Sequence, residues 1–148
     1  MGLLGIEDVI SPDLLHAMCS MGHGDEIVFA DIHFPAASIA ATHGAKLIRL
    51  DGHSLTRILP AVLKLFPLDS YVPQDGLVMQ KVPQDADKEI PIWKVFQEEL
   101  HKAKQAPVVL KQIERFAFYE RAKQAFAVVA TGERSQYGNL ILTKGICP

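Results

Sequence analysis

Apolar residues along the chain follow two patterns, one typical of helices and one typical of buried strands. The clearest helical stripe covers residues 55–66, with apolar side chains at i, i+3, i+4, i+7, i+8 and i+11. Pro60 interrupts this stripe, so we expect a kink or a restart there, and Pro67 should close the helix. Further helices are predicted from Ser11 and Pro12 to a left-handed terminator at Gly22, over residues 36–41, from Trp93 to the basic residues 101–104, and over residues 116–126.

Short segments between these helices predict strands, and the first of them is a nearly continuous apolar run, as expected of a strand that is covered on both faces. They fall at residues 26–30, 46–50, 76–82, 108–113, 127–131 and 140–144, while the polar stretches 83–91 and 132–139 are predicted surface loops. Strands and helices therefore alternate through much of the chain. This pattern predicts a single-domain α/β/α sandwich with a largely parallel central sheet, spanning residues 1–148.

Composition narrows the class of protein. The chain has 148 residues, 49% hydrophobic and 22% charged, which suits one folded domain rather than a disordered segment. A formal net charge of −2, without a cluster of Lys and Arg, argues against a nucleic-acid partner. Cys19 and Cys147 are too few for a disulfide framework and lack the spacing of a zinc site. No apolar run approaches the roughly 20 residues that span a bilayer, and the first ten residues carry no basic segment, so we expect a cytoplasmic protein without a membrane partner.

Titratable side chains stand at both ends of the first predicted strand, where ligands of α/β sheets often bind. His23 lies between Gly22 and Gly24 before this strand, and Asp31 and His33 follow it. A histidine titrates near neutral pH and can therefore donate or accept a proton, and two flanking glycines leave room for a ligand. The alternative is a capping glycine followed by an exposed loop histidine.

Asp31 and His33 are two residues apart and would share one face of an extended strand. Together with His23 they could form a metal site, but their spacing matches no signature such as H-E-x-x-H, so we predict no metal. The alternative for Asp31 is a strand-end aspartate that caps the following turn. The sequence also lacks a G-x-G-x-x-G motif and a P-loop, so we expect no nucleotide cofactor.

Other candidate residues occur in the second half of the chain. Asp69 follows a helix and precedes a strand, which is also where a turn aspartate would stand. Arg115 and Tyr119 would face one pocket if their helix begins early; otherwise Arg115 pairs with a neighbouring glutamate on the surface. Tyr137 and Asn139 precede the last strand, in a segment that equally suits a plain turn. Imidazole, carboxylate, phenol, amide and guanidinium groups, without a nucleophilic Ser or Cys, suit a polyhydroxylated ligand such as a sugar.

Seven short motifs occur in order between about residues 11 and 145. They are residues 21–27 (Met-Gly-His-Gly-Asp-Glu-Ile), Asp31 with residues 34–36 (Phe-Pro-Ala), 51–52 (Asp-Gly), 68–71 (Leu-Asp-Ser-Tyr), 115–122 (Arg-Phe-Ala-Phe-Tyr-Glu-Arg-Ala), 131–133 (Thr-Gly-Glu) and 137–139 (Tyr-Gly-Asn). Together they resemble the family of ribose pyranase and fucose mutarotase, and the 115–122 segment fits the fucose branch better. The 83–92 loop is longer than in bacterial fucose members and looks more like the animal ones.

The resemblance implies an α/β fold that forms ring-shaped homo-oligomers, typically a decamer of two pentameric rings, with active sites near subunit boundaries. It implies L-fucose as the substrate and a reaction without a cofactor. His23 would be the proton donor, and Asp69 a second catalytic group. The implied substrate-binding residues are Asp31, Met79, Arg115, Tyr119, Tyr137 and Asn139, with Met79 as an apolar wall for the methyl group of a 6-deoxy sugar.

Interconversion of the α and β anomers needs only proton transfer and positioning. One group removes the proton of the anomeric hydroxyl while another protonates the ring oxygen; the free aldehyde rotates, and closure gives the other anomer. We take His23 as the acid, and Asp69 or Asp31, or a water that one of them holds, as the base. Two alternatives remain: a sugar-binding or sensory protein without turnover, and a metal-dependent hydrolase or isomerase that a chelator would inactivate.

Overall fold

A six-stranded sheet runs through the middle of the protein. The structure is a computed structural model that describes residues 2–148. The strands of the sheet are β1 (Glu26–Ala30), β2 (Lys46–Leu50), β3 (Gly76–Met79), β4 (Leu110–Ile113), β5 (Ala127–Thr131) and β6 (Leu140–Thr143). Their order in the sheet is β2-β5-β1-β6-β3-β4. Only β6 runs antiparallel to its neighbours among these strands, so the prediction of a largely parallel sheet is confirmed.

Helices cover both faces of the sheet. They are α1 (Pro12–Ser20), α2 (Ala36–His43), α3 (Leu55–Leu63), α4 (Pro91–Lys104) and α5 (Arg115–Lys123). Side chains alternate along β1: Ile27 and Phe29 enter a core with α1, α3 and α4, whereas Val28 and Ala30 enter a core with α2 and α5. The predicted α/β/α sandwich is thus confirmed. Within residues 2–148, no helix has the length and apolar character needed to cross a membrane.

The predicted left-handed end of α1 at Gly22 is wrong. Met21 caps this helix with extended backbone (φ −65°, ψ 140°), and its N–H donates to the carbonyl oxygen of Ala17. The side chain of Asp25 accepts the N–H of Gly22 at 2.8 Å, which fixes the following turn. The left-handed conformation falls instead on Gly24, at φ +90°.

Helix α3 contains Pro60, where the sequence predicts a kink or a restart. The helix continues through Pro60 without a restart and ends at Leu63, before Pro67 is reached. Five of its nine residues are buried against the sheet and α4. This packing stabilises the helix in spite of the hydrogen bond that a proline cannot make.

The stretch between β3 and α4 also differs from the prediction. β3 stops at Met79 rather than at residue 82, because the N–H of Val82 donates to the hydroxyl of Tyr137 instead of joining the sheet. The predicted loop 83–91 contains a short 3-10 turn, Pro83–Asp85, and α4 already begins at Pro91, a residue that suits the first helical turn. The remaining elements match the prediction to within about three residues.

Substitution of Gly132 tests a close backbone approach beside β5. A Cβ atom there would lie 2.8 Å from the amide nitrogen of Gly52 and 2.9 Å from that of His53, and neither backbone can move freely. We expect Gly132→Ala to lower the free energy of unfolding by about 1–3 kcal/mol. Urea unfolding at one fixed protein concentration measures this change.

Gly22→Ala is the matched control for Gly132→Ala. Its added Cβ would have no neighbour closer than 3.8 Å, and Gly22 has no positive φ. This control should change the free energy of unfolding by less than about 0.5 kcal/mol. Equal shifts of the two unfolding midpoints would contradict the steric argument.

Candidate active site

A pocket of about 270 Å³ opens at the carboxyl ends of β1, β3 and β4, beside the amino end of β6. In α/β sheets this edge is the usual place for a ligand. The structure brings six sequence-predicted binding residues together in its lining: Asp31, Met79, Arg115, Tyr119, Tyr137 and Asn139. The remaining lining residues are His33, Phe34, Val82, Asp85 and Gln136.

The buried carboxylate of Asp31 forms the floor of this pocket. Its Oδ1 accepts the N–H groups of His33 (2.9 Å) and Phe34 (3.0 Å), and its Oδ2 accepts those of Gly138 (3.1 Å) and the Asn139 side chain (3.1 Å). Asn139 Oδ1 in turn accepts the N–H of Asp31 at 2.8 Å. Burial raises the pKa of Asp31, although hydrogen bonds from these N–H groups oppose the rise.

The prediction that Asp31 and His33 share a strand face is wrong. β1 ends at Ala30, and the two hydrogen bonds to Asp31 Oδ1 turn the chain immediately afterwards. Asp31 is consequently buried, whereas His33 is exposed. The alternative interpretation of Asp31, a strand-end aspartate that caps the next turn, is confirmed, and the same residue lines the pocket.

One wall of the pocket comes from the first turn of α5. The carboxylate of Glu114 accepts the backbone N–H groups of Phe116 and Ala117 at 3.0 Å and caps the helix, which therefore begins at Arg115. Arg115 and Tyr119 both line the pocket, as their spacing predicts, and Arg115 Nε donates to the hydroxyl of Tyr119 at 3.2 Å. The guanidinium also lies over the rings of Phe116 and Tyr119, 5.3 and 5.5 Å from their centroids.

Asp85 is a pocket residue that the sequence pattern does not reveal. It belongs to the stretch predicted as a polar surface loop, yet Asp85 Oδ2 accepts the hydroxyl proton of Tyr137 at an oxygen–oxygen distance of 2.7 Å. Its side chain is only 14% exposed. No periodicity or motif marks this aspartate, because the contact joins residues 52 positions apart.

The two predicted catalytic residues, His23 and Asp69, form a pair elsewhere. His23 Nε2 lies 3.0 Å from Asp69 Oδ1; the histidine side chain is 45% exposed and that of the aspartate 3%. Burial raises the pKa of Asp69, but the N–H of Tyr71 and the His23 side chain outweigh it, so the pKa lies below its ordinary value. The structure thus presents a solvent-facing imidazole on a buried carboxylate.

The length of β1 separates this pair from the pocket. His23 precedes the five residues of β1 and Asp31 follows them. At about 3.3 Å per residue the strand spans about 16 Å, far beyond hydrogen-bond reach. A single chain therefore does not join the His23–Asp69 pair to its own pocket, nor His23 to Asp31 and His33 in a metal site. Among residues 2–148, no group of three or more His, Cys, Asp or Glu side chains could hold a metal ion.

Comparison with known protein families shows which family the chain belongs to. Residues 4–147 match the model of the RbsD / FucU transport protein family. The chain belongs to this family. The resemblance drawn from the seven sequence motifs is thereby confirmed, and it extends over nearly the whole chain.

Individual relatives of this RbsD / FucU family member agree with the family match. The chain is 51% identical over 146 residues to the fucose mutarotase of Homo sapiens, covering 97% of this chain and 94% of that protein. Its fold matches the crystal structure of the Streptococcus pneumoniae fucose mutarotase in complex with L-fucose (TM-score 0.90, 42% identity, 99% and 100% of the two chains). It also matches FucU of Bifidobacterium longum (TM-score 0.91, 46% identity, 97% and 99%).

The lowered pKa of Asp69 predicts a pH-dependent contribution to stability. A carboxyl group whose pKa falls on folding stabilises the protein above its unfolded-state pKa of about 3.9, and this contribution disappears as the pH falls through the folded-state value. We therefore expect Asp69→Asn to cost about 1–3 kcal/mol near pH 7 and progressively less below about pH 4. Urea unfolding of both proteins from pH 7 to pH 3 measures the difference.

The control for this substitution is Asp87→Asn, which removes an exposed carboxylate for which no hydrogen bond occurs within residues 2–148. It should leave the free energy of unfolding almost unchanged at neutral pH. A cost of Asp69→Asn that stays constant between pH 7 and pH 3 would contradict the role of its ionised form.

Proposed function

We propose that this protein is a fucose mutarotase that interconverts the α and β anomers of L-fucose without a cofactor. The observation that carries the proposal is the pocket of phenol, amide and guanidinium groups, in a fold that matches the L-fucose complex of the Streptococcus pneumoniae fucose mutarotase. Full-length similarity to fucose mutarotases at about 50% identity supports the same conclusion.

The pocket offers the contacts that a 6-deoxy sugar requires. We assign Arg115, Tyr119, Tyr137 and Asn139 to the sugar hydroxyls, because their side chains supply donors and acceptors along the lining. The thioether of Met79, which is 5% exposed, gives an apolar surface suited to the methyl group. Asp31 would contribute mainly through the hydrogen bonds that fix Asn139.

In the proposed reaction His23 protonates the ring oxygen while a carboxylate removes the proton of the anomeric hydroxyl. We take Asp69 as the base, directly or through a water, because its ionised carboxylate can accept a proton and lies beside His23. Its hydrogen bond would also orient the imidazole and balance the charge of the protonated ring. The opened aldehyde then rotates in the pocket before the ring closes on its other face.

We further propose that the His23–Asp69 pair acts on the pocket of a neighbouring subunit in a ring, and that two pentameric rings form a decamer. The separation of about 16 Å within one chain supports this arrangement. Exposed apolar side chains occur at both ends: Tyr71 (73% exposed), whose ring lies 5.2 Å from that of His23, and Phe116 (64%) and Ile32 (46%) near the pocket. Contact between two different patches is what closes identical subunits into a ring.

The cytoplasm is the compartment that we propose for this activity. Cys19 and Cys147 are both exposed and unpaired within the described residues 2–148. Such thiols persist where the glutathione and thioredoxin systems keep cysteines reduced.

Saturation-transfer NMR on equilibrated L-fucose tests the proposed activity. The protein should accelerate exchange between the α and β anomeric signals of L-fucose more than those of D-ribose or D-glucose. Measurable binding of L-fucose without faster exchange would favour a sugar-binding or sensory protein instead. Loss of activity with a chelator would favour a metal-dependent enzyme.

Replacement of His23 tests the proposed acid. His23→Gln should slow L-fucose exchange by about 10²- to 10⁴-fold, the usual contribution of a general acid or base, while circular dichroism and oligomer size stay unchanged. His43→Gln, which alters an exposed histidine at the end of α2, should keep full activity. Near-normal turnover of His23→Gln would exclude this residue as the acid.

A further inference from the structure

We propose that Asp85 is a positioning residue, which binds the hydroxyl proton of Tyr137 and so makes the phenolic oxygen an acceptor for one hydroxyl of the sugar. The inference rests on the proposed function, since it concerns the same pocket. It adds a residue from the predicted surface loop and a defined polarity for one hydrogen bond.

The hydroxyl of Tyr137 has two partners in the protein. It donates to Asp85 Oδ2 at 2.7 Å, a short distance typical of a hydrogen bond to a carboxylate, and it accepts the N–H of Val82 at 3.2 Å. A phenol has one proton to donate, and here the hydroxyl of Tyr137 donates it in the hydrogen bond to Asp85. The remaining lone pair can only accept a hydrogen bond, and Tyr137 lines the pocket where a sugar hydroxyl would donate it.

Asp85 is itself held in place by side chains of the same rim. Its Oδ1 lies 2.8 Å from Lys88 Nζ, and its Oδ2 also accepts Gln136 Nε2 at 3.3 Å. Lys81 Nζ donates to the carbonyl oxygens of Ala86 (2.8 Å) and Lys88 (2.7 Å) and closes the loop on itself. The carboxylate therefore stands in a built and partly buried position, rather than on a free surface loop.

Tyr137 is also held by contacts that do not involve Asp85. Its backbone adopts a positive φ of 61°, which is uncommon outside glycine, and its carbonyl oxygen accepts Trp93 Nε1 at 3.0 Å. Tyr137 as a whole is only 7% exposed. Asp85 thus controls the direction of the hydroxyl hydrogen more than the place of the ring.

The charges around the pair agree with this arrangement. Burial is the main cause that raises the pKa of Tyr137, and the hydrogen bond to Asp85 raises it further, so the phenol keeps its proton. The hydrogen bond from Lys88 is the main cause that lowers the pKa of Asp85, and the hydrogen bond from the Tyr137 hydroxyl lowers it further, so the carboxylate stays ionised. At neutral pH the proton accordingly belongs to the phenol and points to the carboxylate.

A double-mutant cycle tests whether Asp85 acts through this hydroxyl. Asp85→Ala, Tyr137→Phe and the double variant are compared by calorimetric Kd for L-fucose and by KM and kcat for anomer exchange. Each single change should raise Kd and KM about three- to tenfold with little change in kcat. The reason is that a neutral hydrogen bond to the sugar is lost equally in the bound ground state and in the transition state. The double variant should bind no worse than Tyr137→Phe alone.

Two further variants and one fluorescence measurement separate this role from a general effect on the loop. Asp85→Asn keeps an oxygen acceptor and should restore most of the affinity that Asp85→Ala loses. Asp87→Ala removes an exposed charge two residues away in the same loop and should match the unchanged protein. The only tryptophan of the sequence, Trp93, contacts the Tyr137 carbonyl, so its fluorescence should stay constant in Asp85→Ala if the rim is intact.

Independent losses that add in the double variant, or an Asp85→Asn protein as weak as Asp85→Ala, would overturn the inference. So would wild-type affinity in Asp85→Ala. If the unchanged protein binds L-fucose but does not accelerate exchange, the proposed function fails while the cycle on Kd still decides the role of Asp85.

Discussion

The buried carboxylate of Asp31 is the junction on which the pocket depends. β1 leaves the sheet where β6 enters it, so the connection after β1 lies beside the connection before β6. Four N–H donors converge on Asp31, two from the turn after β1 and two from residues 138–139 before β6. Because a carboxylate offers about four acceptor positions, these bonds fix both segments at once and place Tyr137 and Asn139 beside the first turn of α5.

The length of β1 determines what one subunit can do by itself. The strand has the pocket at one end and the His23–Asp69 pair at the other, about 16 Å apart. Proton transfer needs contact within about 3 Å, so under the proposed function a lone chain binds sugar on one surface and presents its acid on another. Catalysis would then depend on assembly of the subunits. Exposed apolar side chains beside both surfaces would form the contacts between them.

Much of the fold could be predicted from the sequence because its strands are short, mostly apolar segments between helices. Their apolar runs gave the bounds of β1, β2 and β5 without error. The reversed direction of β6 could not be predicted, since an apolar run carries no sign of its neighbours. The end of β3 depends on a hydrogen bond between Val82 and Tyr137, 55 residues apart, which local patterns do not contain.

The same distinction applies to the candidate site. Five residues of the ordered motifs, together with Met79 from the third strand, do line one pocket, and the spacing of Arg115 and Tyr119 was enough to predict that both face it. The bounds predicted for β1 put His23 and Asp31 at opposite ends of one strand, but the pairing of Asp69 with His23 depends on a contact between residues 46 positions apart. Asp85 was missed for a related reason: a loop aspartate becomes part of a site only when a distant tyrosine reaches it.

Mixed oligomers test most directly whether the active site is shared between subunits. His23→Gln chains would be co-expressed with chains that carry both Arg115→Ala and Tyr119→Ala, each expected to be inactive alone. With random mixing in a ring, about one quarter of the sites combine an intact His23 with an intact neighbouring pocket, so about one quarter of the wild-type L-fucose exchange rate should return. Mixed oligomers that remain as inactive as either parent would contradict a site built from two subunits.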